Sequence, residues 1–172
     1  MEYSVVMVVN EKIESVVRNH WQKMSDLNLS TYHLDGDKFP HITYLSFDTK
    51  DSIEQVIYIF KKEFSRLPKY NFNIENLESF GVCKAIYYAI YFPEIFYKNR
   101  LSLIDKVDER WHENSTFKYI SHLTIANYLK TDNHKKTIDF LENDFINLKG
   151  NIKNYLLVSI NPDKTINILS YV

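Results

Sequence analysis

Two short segments, His41–Phe47 (HITYLSF) and His122–Tyr128 (HLTIANY), lie 81 residues apart in a chain of 172. Each reads as a strand and each is followed by an amphipathic helix. Shifting the chain by 81 residues carries the helical stretch 51–67 onto 132–148 and the stretch 11–27 onto 92–108. The same shift carries the strand 72–80 onto 153–161. The order strand, helix, strand, helix, strand therefore occurs twice, which predicts a duplicated α+β unit. Halves of about 80 residues have marginal cores alone, so the chain reads as one domain over 1–172. Its lobes are expected roughly at 1–80 and 81–172, partly intertwined.

The individual elements follow from periodicity. Tyr3–Val9 is β-branched and reads as a buried strand, with Asn10 as N-cap of a helix over Glu11–Leu27. A second helix spans Asp51–Leu67 and stops at Pro68. Asn71–Phe80 alternates as a strand with an irregularity near Asn76, and Gly81 turns the chain into the strand Ala85–Phe92. Helices are predicted over Glu94–His112 and Asn133–Leu148, with Gly150 as a helix C-cap. Tyr119–Tyr128 is a strand, and Ile152–Ile160 pairs with Thr165–Tyr171 across Asn161-Pro162-Asp163-Lys164.

Composition excludes several classes of chemistry. Gly36, Gly81 and Gly150 are the only glycines, so neither a P-loop nor a dinucleotide-binding fingerprint is present. Cys83 is the single cysteine, which rules out an internal disulfide framework and a multi-cysteine zinc site. The set Asp35, Asp37 and His41 is the nearest approach to a metal cluster, and it reads as a turn; no metal or cofactor is expected. A formal net charge of −1 argues against a broad nucleic-acid-coating surface. The apolar run Tyr3–Val9 is too short for a signal peptide or a membrane span. The expectation is a cytoplasmic protein without membrane attachment, a monomer, with no large nucleic-acid surface.

The chemistry lies in the repeated His-x-Thr. Residues i and i+2 of a strand share a face, so His41 and Thr43 project together, as do His122 and Thr124. Ile42, Tyr44, Leu123 and Ile125 point the other way, toward the helices. Two imidazoles and two hydroxyls around one cavity suit phosphoryl chemistry without metal. One neutral ring takes a proton from a nucleophile, and one protonated ring gives a proton to a leaving alkoxide. The hydroxyls hold the non-bridging oxygens. His20, His33, His112 and His134 have no such partner and read as structural or solvated.

The segments PHITYLSF and SHLTIANY resemble the motifs of the 2H phosphoesterase superfamily, which includes 2′-5′ RNA ligase-like proteins and cyclic phosphodiesterases. The resemblance covers nearly the whole chain, including the segment Leu77–Gly81 between the lobes. It implies a two-lobed α+β fold with pseudo-symmetric halves, antiparallel sheets lining a central groove and helices outside. It implies a metal-independent phosphoesterase for 2′,3′-cyclic or 2′-5′ phosphodiester bonds of small nucleotides or RNA ends. His41 and His122 inherit the acid–base roles and Thr43 and Thr124 the phosphate contacts. Which histidine is acid depends on substrate polarity. The alternatives with the same machinery are a non-catalytic nucleotide- or RNA-binding module, an RNA 2′-5′ ligase, and a counter-defence nuclease acting on cyclic oligonucleotide signals. Many ligase-like members carry an arginine where this chain has Asn127, so Lys38, Lys84 and Lys118 are candidates to replace its charge. Of the 13 tyrosines, Tyr32, Tyr44, Tyr87, Tyr88, Tyr119 and Tyr128 lie near the motif strands. Tyr44, Tyr87 and Tyr119 are the candidate base-stacking residues, against a background in which most tyrosines fill the core.

Overall fold

The computed structural model describes residues 2–35, 38–81, 85–107, 109–114, 118–162 and 165–172. The predicted turn residues Gly36, Asp37, Asp163 and Lys164, together with Cys83 and Lys84, lie outside the described residues. Among the described residues are four helices and eight strands, and every strand pairing is antiparallel. No described helix is long and apolar enough to cross a membrane.

In the first half, β1 (Glu2–Val9) is buried along nearly its whole length. Asn10 then caps α1 (Glu11–Asp26) by accepting the Ile13 N–H, and α1 turns Ile13, Val17, Trp21 and Met24 into the core. The motif strand β2 (His41–Thr49) follows. Next comes α2 (Ile53–Phe64), opened by a Ser52/Gln55 capping box that satisfies two orphan N–H groups. β3 (Asn71–Phe80) carries a bulge between Ile74 and Asn76, at the predicted irregularity.

In the second half, β4 (Ala85–Tyr91) is buried on both faces, as its unbroken apolar run dictates. α3 (Glu94–Val107) ends before the predicted His112 because Trp111–Glu113 forms β5 and pairs with β2. The Trp111 ring stacks on Phe47 at 4.0 Å, and that burial outweighs one more helical turn. The second motif strand β6 (His122–Ala126) leads to α4 (Thr131–Asp144). β7 (Leu148–Ile160) and β8 (Ile166–Tyr171) close the chain. Gly150 is therefore inside a strand and is not a helix C-cap. A Cβ there would stand 2.6 Å from Phe72 Cζ and 2.7 Å from Ile13 Cγ1, so the glycine permits a close approach of α1 and β3 to β7.

The sheet order is β1-β2-β6-β4-β3-β7-β8, and β7 also pairs with β1. Leu148–Asn151 of β7 bonds to β3, and Ile152–Ile160 bonds to β1. The path from β1 through β2, β6, β4 and β3 thus returns to β1 through the two parts of β7. The order is symmetric about the β2–β6 junction. The two motif strands are neighbours, meeting at the single pair Ile42↔Leu123. These are equivalent positions of the 81-residue repeat, so the pseudo-twofold axis passes through that pair. Both side chains are fully buried. The motif strands thus meet edge to edge, and do not face one another across a gap between separate sheets.

Candidate functional site

Ile42 and Leu123 point into the core, so His41, Thr43, His122 and Thr124 on either side of them take the opposite face. Continuing the register by one residue sets His41 across from Thr124 and Thr43 across from His122. The two histidines are then diagonal neighbours, roughly 7–8 Å apart at the backbone in a regular ladder. Side chains at that spacing on one face can reach a common phosphate. All four residues are half-buried.

The two imidazoles are held in the same way. His41 Nδ1 lies 2.9 Å from the carbonyl of Phe39, and His122 Nδ1 lies 2.8 Å from the carbonyl of Ile120. A carbonyl only accepts, so each Nδ1 carries the hydrogen. Each neutral ring therefore keeps its lone pair on Nε2. No described residue makes a hydrogen bond to either Nε2. Burial pushes both histidines below their usual range, and the carbonyl contacts pull the other way. The charge of His122 lowers His41 further, which places the rings within electrostatic reach of each other.

The walls of the two half-sites differ. Thr43 and His41 pair with Val6 and Val8 of β1, whereas Thr124 and His122 pair with Tyr87 and Ala89 of β4. Around His122, the Tyr87 ring stands edge-on at 5.4 Å and the Phe80 ring at 5.1 Å, with Phe80 stacked on Tyr87 at 4.2 Å. The Tyr87 hydroxyl donates to Glu78 at 2.8 Å, and burial with that carboxylate pushes it up to about 12.

The backs of both motif strands are tied to helices. Arg100 Nε donates to the Tyr44 carbonyl at 2.8 Å, and Trp21 Nε1 donates to the Ile125 carbonyl at 3.0 Å. Tyr44 and Ile125 are equivalent in the repeat, so one device serves both halves with different donors. Arg100 also pairs with Glu113 at 2.6 Å and lies 3.6 Å above the Tyr119 ring. Arg100 is a buried cation on the core face of α3, legible only as a charge at that helix's apolar spacing.

The candidate stacking residues fare unequally. Tyr44 is fully buried on the opposite face, packed on Phe64, Phe96 and Tyr155, and presents no ring to a substrate. Its even position beside His41 and Thr43 already carried that signal. Tyr119 precedes β6 and is a brace for β2, not an open stacking surface. Its hydroxyl donates to the Thr43 carbonyl at 2.9 Å while Arg100 covers its ring. Tyr87 lies beside His122 but is itself 3% exposed, under Phe80. Tyr88 is core, with its hydroxyl 2.9 Å from His20 Nδ1, and His20 Nε2 lies 3.1 Å from Asp144.

Lys38 reaches the Asp35 carbonyl and sits 4.3 Å above the Tyr32 ring, and Lys118 is exposed. Asn127 Oδ1 accepts the backbone N–H of Tyr128. His33 stacks on Trp21 at 4.8 Å, its Nε2 buried without a partner among the described residues. Burial, Lys38 and His41 push His33 down to about 4. No three His, Cys, Asp or Glu side chains converge on a metal-sized site among the described residues. Two surface depressions of about 270 and 500 Å³ lie elsewhere, beside α2, and no motif residue lines either.

No protein-family model matches the sequence, and no curated protein matches it. Among solved structures the chain is similar to the crystal structure of TT0787 from Thermus thermophilus. The likeness has a TM-score of 0.61 at 13% identity and spans 99% of this chain and 96% of that one. At that identity it shows a shared fold over nearly the whole length of both chains.

Proposed function

We propose that this chain is a metal-independent phosphoesterase that cleaves 2′,3′-cyclic or 2′-5′ phosphodiester bonds of a small nucleotide or an RNA end. The observation that carries the reading is the matched pair of imidazoles. Each has Nδ1–H fixed to a carbonyl two residues back and Nε2 left for chemistry, on strands joined at Ile42↔Leu123.

A phosphate between the rings meets one neutral Nε2 and one Nε2–H⁺. The neutral ring takes the proton of the attacking water as its oxygen bonds to phosphorus. The protonated ring gives its proton to the departing ester oxygen as that P–O bond breaks. The pair ends with its protonation reversed and resets through solvent. Thr43 and Thr124 hydrogen-bond the non-bridging oxygens and hold the ester in line. Charge on one histidine disfavours charge on the other, which favours the one-proton state that this cycle needs.

The test is turnover of 2′,3′-cyclic AMP, 2′-5′ oligoadenylate and a cyclic oligonucleotide by wild type, His41→Ala and His122→Ala. Each substitution is expected to cost at least about a hundredfold with the fold retained, because each removes one proton transfer. EDTA is expected to change nothing. Full activity in both variants, or abolition by EDTA, overturns the proposal. Stoichiometric nucleotide binding with no product identifies a binding module instead.

A further inference from the structure

At the His41 end of the site stands a second group of side chains that the motif chemistry does not use. β2 and β6 are antiparallel, so the start of β2 and the end of β6 lie at the same end of the junction. Lys38 and Phe39 arrive there just before His41, and Asn127 and Tyr128 leave just after Ala126. The Tyr32 and Tyr128 rings meet there at 4.8 Å, tilted by 59°, with the Lys38 ammonium 4.3 Å over Tyr32.

Tyr128 has two unusual properties. Its backbone has φ of 53°, a left-handed conformation that costs a bulky residue about 1–2 kcal/mol. The residue is nonetheless 64% exposed, so core packing does not compensate the strain. The repeat-equivalent residue, Phe47, has extended backbone in β2 and is fully buried against Trp111. Strain spent on holding an aromatic ring in solvent beside a reactive site is the pattern of a ligand contact.

We propose that Tyr128, backed by Tyr32 and Lys38, forms one side of a clamp for a nucleobase carried on the His41 side of the scissile phosphate, with Lys38 placing a cation beside it. The clamp rests on the phosphoesterase reading for its orientation, not for its existence. Tyr128 is the exposed member on which a base can stack, and Tyr32, with Lys38 over its ring, backs it. Lys38, anchored through the Asp35 carbonyl, brings positive charge to the same end as His41. A free nucleotide and the last base of an RNA chain present the same ring and phosphate.

Calorimetric binding tests it without turnover. The probes are adenosine 3′-monophosphate, an adenosine tetranucleotide 3′-phosphate and ribose 5-phosphate, on wild type, Tyr128→Gly, Tyr128→Phe and Tyr32→Ala. Tyr128→Gly is expected to weaken both adenosine probes by roughly fivefold to a hundredfold and to leave ribose 5-phosphate unchanged. It is also expected to keep or raise the melting temperature, since glycine relieves the left-handed strain. Tyr128→Phe retains affinity. The tighter of the two adenosine probes shows whether a free nucleotide or a chain end is bound. Unchanged affinity in Tyr128→Gly, or wild type binding adenosine 3′-monophosphate no better than ribose 5-phosphate, overturns the clamp. Tyr128-dependent binding with no hydrolysis of any phosphodiester overturns the phosphoesterase reading and leaves the clamp standing. Hydrolysis with no dependence on Tyr128 does the reverse.

Discussion

The His41 and His122 halves of the site are copies in one respect and strangers in another. Both rings are fixed by the carbonyl two residues back, and those carbonyls, of Phe39 and Ile120, are themselves repeat-equivalent. The walls have diverged. Val6 beside Thr43 corresponds to Tyr87 beside Thr124, and buried Phe47 corresponds to exposed Tyr128. What stays constant is the geometry that selects the tautomer. What varies is the side chains that flank the two imidazoles. On the proposed reading, a twofold frame with unequal walls supplies a matched acid–base pair in an unmatched cleft, which suits an ester with two different sides.

The largest expected effect breaks the symmetry of roles. Beyond the loss in each alanine variant, a p-nitrophenyl ester, whose leaving group needs no proton, is expected to restore about a hundredfold to whichever variant lacks the acid. The other variant stays inactive, and relative rates on the two ester types check it. Equal rescue of both contradicts distinct roles.

The supports behind the strands come next. Arg100→Met leaves the Tyr44 carbonyl and Glu113 unpartnered and is expected to cost about 3 kcal/mol by urea unfolding. Trp21→Phe removes the bond to the Ile125 carbonyl together with part of the ring stacked on His33, and is expected to cost about 2 kcal/mol. The reverse order would mean that Arg100 is not the brace of the His41 half.

His33 distinguishes the two ends through pH. Its folded value of about 4 lies below the ordinary 6.5, so the unfolded chain binds more protons between those values. Its contribution is constant above pH 6.5 and is lost as pH falls toward 4, a loss of about 3 kcal/mol. Unfolding free energies at pH 7 and pH 4.5 are expected to differ less in His33→Gln than in wild type. The smallest effect is expected from Tyr87→Phe, which removes the bond to Glu78 and costs about 1 kcal/mol, while turnover stays within about threefold.

Much of this was legible beforehand because it rests on short-range periodicity. The offset between the two motifs placed β2, β6 and the helices after them, and the i, i+2 rule placed His41, Thr43, His122 and Thr124 on one face. The same rule placed Tyr44 on the far face, where it is buried. Long-range competition was not legible. Trp111 leaves its helix to stack on Phe47, and Gly150 sits in β7 because Phe72 and Ile13 approach it from other elements. Nor does any local pattern reveal that Arg100 lies over Tyr119 or that Tyr128 is left-handed. These depend on partners tens of residues away or on where a strand is forced to stop.

The most direct test of the central claim, that two Nε2 atoms work as an acid–base pair, is the pH dependence of kcat/KM. It is measured for 2′,3′-cyclic AMP in the presence of EDTA. Burial lowers both histidines, so wild type is expected to give a bell centred on the acid side of 6.5. The residual activity of the two alanine variants is expected to lose one limb each, the acidic limb in one and the basic limb in the other. A profile with a single limb, or one whose limbs survive in both variants, would contradict the account.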